Sequence, residues 1–280
     1  MPELNLVGDG ARRRVAAVQS SPILGAVSHN VEQAVRRISA LRGRADLVVF
    51  PELFTTGYNR ERLDHAQLAE SLDDSPTVSR LTAAAADARV ALTGTLLERD
   101  GAAIYDTAIV IDSDGRLVGR YRKTHLYPAE QPYFTRGDGL LVVAVGDGLK
   151  LGLAICFEHA FPEIFTELAL LGANLIAIPS AVPDGFDYLL ELRTRARAQD
   201  NQLFVVASNL VGFDGQTRWC GRSAIIDPRG EALAVADAEG EAVLIAELDL
   251  DEIGRERRQE PVLASRRPEL YQRSRGVVPR

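Results

Sequence analysis

Residues 149–181 read LKLGLAICFEHAFPEIFTELALLGANLIAIPSA. LKLGLAIC (149–156) is an apolar run of strand length that ends on a cysteine. PEIFTELALLG (162–172) has helical character, opens on proline and stops at Gly172. NLIAIPSA (174–181) is a second apolar strand. A strand, a helix and a strand in succession point to a sheet with helices packed against it.

The same alternation extends in both directions. Downstream, 187–200 reads as a helix and QLFVVASN (202–209) as a strand. CGRSAIIDPRGEALAVA and EAVLIAELDL supply three more strands, with DPRG as a turn. Upstream, LLVVAV (140–145) pairs with LKLGLAIC across a GDG turn. In the first half, RVAAVQ (14–19), ADLVVF (45–50) and VALTGTLLE (90–98) are strands. Apolar residues at 31, 34, 35, 38 and 41 mark a helix from Asn30 to Leu41, and the alanine-rich 77–88 marks another. YDTAIVID and RLVGRYRK form a hairpin about Ser113-Asp114-Gly115. This pattern predicts an α/β layered fold with mixed sheets, in one domain over 1–280. Its core covers about 14–250, behind a loose lead-in at 1–13, and 259–280 forms a C-terminal arm.

The chain has 280 residues, 46% of them hydrophobic, enough for a sizeable core. Its formal charge of −7 argues against nucleic acid as the main partner. The short RTRAR run at 193–197 does not reverse that reading. No run of 18 apolar residues occurs, so a membrane span is not expected. The N-terminus lacks the apolar segment of a secretory signal. Two cysteines, Cys156 and Cys220, make no disulfide framework, and a reducing cytoplasm fits best. No Walker, dinucleotide, HExxH, CxxC or EF-hand pattern is present, so neither a cofactor nor a metal is expected.

Three residues beside strand-like runs carry chemistry: Glu52 after LVVFP, Lys123 in RLVGRYRK and Cys156. A carboxylate, an ammonium and a thiol suit acyl transfer as base, oxyanion partner and nucleophile. Lys123 and Lys150 are the only lysines among 32 basic residues, which singles out the cation at a strand end. Each residue also has an ordinary reading. Cys156 suits an inert core thiol, Glu52 a solvated loop carboxylate and Lys123 a surface ion pair. Cys156 and His159, three apart, also suit a pair of metal ligands.

Order and context decide among these. FPELFTTGY (50–58), RKTHLY (122–127) and AICFEHAFPE (154–163) resemble the three signature segments of the nitrilase, or carbon–nitrogen hydrolase, superfamily. The similarity runs on through GANLIAIPSA (172–181), RARAQDNQ (195–202), ASN (207–209) and GRSAIIDPRG (221–230), and covers about residues 14–250. The resemblance implies a four-layer α-β-β-α sandwich that pairs through its outer helices as a homodimer or higher homo-oligomer. It implies a thiol amidase that cleaves a small carboxamide with water through a cysteine thioester. Glu52 would be the general base and Cys156 the nucleophile, while Lys123 and the Phe157 backbone N–H would hold the oxyanion. Lys123 would also lower the thiol's pKa. Glu130, seven residues beyond Lys123, matches a second glutamate of amidase-like members. Tyr58 is a candidate pocket wall, and Phe157, His159, Ser180 and Ala181 are candidate substrate contacts.

Alternatives on the same triad are a nitrilase and an N-carbamoyl-amine or N-carbamoyl-amino-acid hydrolase. A binding protein on the same scaffold is an alternative of another class. Members that act on carboxylate-bearing amides often carry arginine two to four positions after the cysteine. This chain has Glu158, His159 and Ala160 there. The expectation is therefore a neutral or cationic carboxamide, with Glu158 and Asp184 favouring an amine-bearing one.

Overall fold

The computed structural model describes residues 12–59, 61 and 64–271. Ten of its strands occur before residue 214. They are β1 (Arg12–Gln19), β2 (Leu47–Val49), β3 (Ala91–Asp100), β4 (Ala103–Ile111) and β5 (Leu117–Arg122), followed by β6 (Val142–Val145), β7 (Leu149–Leu153), β8 (Leu175–Ser180), β9 (Phe204–Asn209) and β10 (Val211–Phe213). Four more follow: β11 (Arg218–Cys220), β12 (Ala224–Ile226), β13 (Ala232–Val235) and β14 (Ala242–Asp249). They form two six-stranded sheets, ordered β14-β1-β2-β3-β4-β5 and β13-β12-β9-β8-β7-β6, and a β10-β11 ribbon. β1, β2 and β3 are parallel to one another, as are β7, β8 and β9; the remaining pairings are antiparallel.

The near-continuous apolar strands are explained by burial on both faces. Val15 and Ala17 of β1 pack between the sheets, while Ala16 and Val18 face the outer helices of the first sheet. Leu175 and Ala177 of β8 likewise point inward, and Ile176 and Ile178 outward. Helices α1 (Val27–Ala40) and α3 (Pro76–Ala88) cover the first sheet, and the four-residue α2 (His65–Leu68) lies between them in sequence. α4 (Pro162–Leu170) and α5 (Asp187–Asn201) cover the second. The result is the expected four-layer α-β-β-α sandwich.

Local chemistry sets the helix ends. The Ser75 side chain accepts from the Val78 N–H and Pro76 opens α3, which stops at left-handed Arg89. α1 starts at Val27, three residues before the expected Asn30. Asn30 is buried, and its side-chain amide donates to the carbonyls of Ile23 and Thr55. The first turn leaves Val27 only half-buried and exposes Ser28 and His29, so it adds little to the apolar spacing.

The chain ends also differ from the sequence boundaries. β1 begins at Arg12, because Arg12 pairs with Asp249 of β14. Residues 1–11 of the expected lead-in lie outside the described residues, as do 272–280 of the expected arm. Helix α6 (Asp251–Gln259) follows β14 directly, with acids in its first turn and Arg257 and Arg258 in its last. Beyond it Leu263 is buried in the second sheet's outer core, and α7 (Pro268–Tyr271) follows. No helix among the described residues is long and apolar enough to cross a membrane.

Two hydrogen bonds tie the sheets together beside β2. The Ser208 hydroxyl donates to the Val49 carbonyl at 2.8 Å, and the Glu52 N–H donates to the Ser180 carbonyl at 3.3 Å. Gly94 of β3 backs the same segment. A Cβ there would lie 2.7 Å from Phe50 Cβ and 2.8 Å from Phe54 Cε1, and these two rings stack at 4.7 Å. Gly94→Ala should therefore lose about 1–3 kcal/mol by overpacking, measured by urea unfolding. An unchanged midpoint would contradict this packing.

Candidate active site

β2 and β3 run in parallel, and the antiparallel steps from β3 through β4 to β5 bring β5 back to the same direction. Glu52 and Lys123 thus emerge at one end of the first sheet. Lys123 continues the ladder, its N–H donating to the Asp106 carbonyl at 2.9 Å. Cys156 follows β7 in the second sheet, on a 3-10 turn over residues 156–160. Its φ of 44° is left-handed, a conformation rare for a side chain with a Cβ. The elbow sets the cysteine in the wall of a cavity of about 440 Å³.

The Lys123 ammonium lies fully buried, 2.6 Å from Glu52 Oε1 and 2.8 Å from Glu130 Oε1. Asp106 Oδ2 of β4 is 3.7 Å away. Glu130 ends a 3-10 turn over Pro128–Glu130 and accepts from the Tyr58 hydroxyl at 2.6 Å and the Tyr127 N–H at 2.7 Å. Burial alone would push Lys123 down; the charges of Glu130 and Glu52 win and hold it well above its ordinary value. Three carboxyl groups offer oxygens within 4.8 Å of one another, the kind of cluster that can hold a cation. Here the ammonium supplies that charge.

The sequence reading has no role for Asp106. It is an acid in the middle of the apolar YDTAIVID strand, which is the signal that could have exposed it. Burial and the neighbouring Glu52 push its pKa well above the carboxylate range. Neither Asp106 oxygen accepts from an N–H or hydroxyl among the described residues, which fits a carboxyl group whose charged form is disfavoured. Burial also raises Glu52, against the pull of Lys123, and no N–H or hydroxyl among the described residues donates to its Oε2.

At Cys156 the Lys123 ammonium acts in the expected direction, but it is outweighed. The ammonium does pull that way, as does the Ala181 N–H, yet burial and the Glu52 charge raise the thiol well above its ordinary value. The resting thiol keeps its proton, and the adjacent carboxylate is the group to take it.

Of the other expected contacts, Tyr58, Phe157, His159 and Ala181 all line the cavity with Cys156 and Glu130. Ser180 does not line it. It is fully buried at the end of β8, and its hydroxyl donates to the Ile178 carbonyl. Glu158 also turns away from the cavity. Its Oε1 accepts from the Thr124 N–H, the Thr124 hydroxyl and the His125 N–H, and Oε2 accepts from the Ile155 N–H. The Tyr121 hydroxyl lies 2.8 Å from both oxygens. Asp184 is not among the lining residues either. The grounds for an amine-bearing substrate therefore fall. Cys220 ends β11, buried, with its thiol pushed up to about 12 chiefly by burial.

The family profile for carbon-nitrogen hydrolases matches residues 14–258. The chain belongs to that family. A protein named hydrolase in pqqF 5'region, from Pseudomonas protegens, is 38% identical over 92% of this chain and 90% of its own. A nitrilase of Pyrococcus abyssi is 34% identical over 92% and 98%. Among solved structures, an amidase from Nesterenkonia sp. superposes with a TM-score of 0.82. It is 27% identical and covers 96% of this chain and 98% of that one.

Within this family member, Glu158 clamps the segment after Lys123 to the residue before Cys156. Burial alone would raise its pKa; the bonds from His125, Thr124 and Ile155 win and hold it below the usual range. A depressed folded value contributes stability that is complete at neutral pH and drains away as pH falls through the carboxylate range. Glu158→Gln should cost roughly 3 kcal/mol at pH 7. The gap to the native protein should narrow below about pH 5. Urea midpoints at the two pH values check this; a constant gap would contradict it.

Proposed function

We propose that this protein is a thiol amidase, which hydrolyses a small carboxamide to an acid and ammonia or an amine through an acyl thioester on Cys156. The observation that supports this most strongly is the thiol on a left-handed elbow at the cavity, beside the buried Glu52–Lys123 pair. Glu52 takes the thiol proton as Sγ bonds to the carbonyl carbon. The oxygen that gains charge is stabilised by the Lys123 ammonium and the Phe157 N–H. Glu52 then passes its proton to the leaving nitrogen as the C–N bond breaks. Water attacks the thioester carbonyl, Glu52 takes one of its protons, and the released thiolate is reprotonated. Glu130, fixed by Tyr58 and the Tyr127 N–H, holds Lys123 in place.

Burial favours the uncharged forms of both Glu52 and Cys156. The nearby ammonium stabilises whichever of the two becomes the anion. Two free thiols are consistent with a reducing cytoplasm.

Intact-mass spectrometry of enzyme quenched during turnover of a mixed panel of amides should show an acyl adduct on Cys156. Cys156→Ala should remove the adduct and lower kcat/KM by about 10³-fold or more. Turnover should be blocked by thiol alkylation and indifferent to chelators. Undiminished turnover by Cys156→Ala would exclude the thioester route.

The outer helices support self-association. Leu170 and Leu171 at the end of α4, and Tyr188 and Leu192 on α5, expose 43–63% of their surface. A homodimer through this face should sediment as one, and Leu192→Glu should shift it toward monomer. A monomer at high protein concentration would rule the dimer out.

A further inference from the structure

The RTRAR run on α5 places three arginines within five residues, and the fold gives them different surroundings. Arg195 faces Glu191 at 3.8 Å, and Arg197 pairs with Asp200 at 3.0 Å. Arg197 also donates to the His159 carbonyl. Arg193 lines the catalytic cavity and forms no ion pair with any described carboxylate. Among the described residues it is the only lysine or arginine that lines the cavity.

Its hydrogen bond to His159 explains how it is aimed. Arg193 Nη1 lies 3.3 Å from His159 Nδ1. Burial, together with the Arg193 and Arg197 charges, pushes His159 down to about 3, so the imidazole is neutral. A neutral Nδ1 accepts a hydrogen bond from the guanidinium without cancelling its charge. The remaining N–H groups stay available in a cavity whose walls include Tyr127, Phe157, Phe186 and Trp219.

The acids of the cavity do not answer that charge. Glu130 is held by Lys123, Tyr58 and the Tyr127 N–H. Glu61 is exposed, where the Gln216 amide donates to it at 3.3 Å. A half-buried guanidinium against aromatic walls, unpaired with any described carboxylate, is suited to pair with an anionic group.

We propose that Arg193 sets substrate choice by pairing with a carboxylate at the end of the substrate remote from the scissile amide. The preferred substrates are then short-chain amides that carry a carboxylate, such as monoamides of dicarboxylic acids. This assignment rests on Cys156 as the nucleophile, because that residue fixes which end of the cavity holds the amide. It reverses the expectation from Glu158, His159 and Ala160, since the arginine comes from α5 and not from the turn after the cysteine.

The test reads binding apart from turnover. Trp219, the sole tryptophan, lies in the cavity wall with its ring edge-on to Tyr58 at 5.6 Å. Its fluorescence in the Cys156→Ala protein reports occupancy. Succinamate, glutaramate and adipamate are titrated against butyramide, pentanamide and hexanamide, which match them in length without the charge.

At least one acid amide should bind about tenfold or more tightly than its neutral match, as for a charge-assisted pair. Arg193→Gln should erase the difference and Arg193→Lys should keep part of it, with circular dichroism checking that both fold. Equal affinities throughout, or a difference that survives Arg193→Gln, would overturn the assignment. Acyl-Cys156 formed from neutral amides without any preference for acid amides would overturn it too, and leave the amidase reading intact. Arg193-dependent binding of acid amides with no acyl-Cys156 from any substrate would uphold the assignment and sink the amidase reading.

Discussion

The Lys123 ammonium is fully buried, and an ion of that size in a protein interior loses several kcal/mol of hydration. Glu52, Glu130 and Asp106 must therefore stand where they do. Each comes from a different part of the first sheet: the end of β2, the turn after β5 and the middle of β4. Satisfying one cation fixes the positions of three backbone segments. Three carboxyl groups around one ammonium also exceed what it can neutralise, and burial together with the Glu52 charge pushes Asp106 well above the carboxylate range. Burial raises Glu52 while Lys123 pulls it down, opposing influences on a group suited to take and return a proton.

Much of this fold was legible because apolar runs and helical spacing report burial directly. Both faces of β2, β8 and β9, and of β1 from Val15 onward, are buried, and their sequences are largely apolar. The gaps have physical causes. Helix α6 is strongly polar and buries only Ile253 and Gly254, so it leaves no apolar period to find. The β10-β11 ribbon is three residues per strand, too short for alternation to register.

In the site, Glu52, Lys123, Glu130 and Cys156 could be read because each sits in a recognisable segment. Glu158 and Ser180 sit in such segments as well, yet spacing along the chain gives a position and not a direction. The 3-10 turn after Cys156 rotates Glu158 toward Tyr121 and Thr124, and the pleat of β8 turns Ser180 into the core. Asp106 and Arg193 acquire meaning only from neighbours far away in sequence. A buried acid in mid-strand was a usable clue; an arginine among arginines was not.

The pairing of β14 with β1 over eight residues, from Arg12 against Asp249 to Gln19 against Ala242, has a consequence for how the chain is made. The ribosome delivers β1 first and β14 more than two hundred residues later. Until then one edge of the first sheet has its N–H and C=O groups open, and an open edge invites pairing with another chain. The nascent protein must pass through this stage each time it is made. Arg12, Arg13 and Arg14 at the start of β1 place three like charges on that waiting edge, where they discourage two unfinished copies from joining.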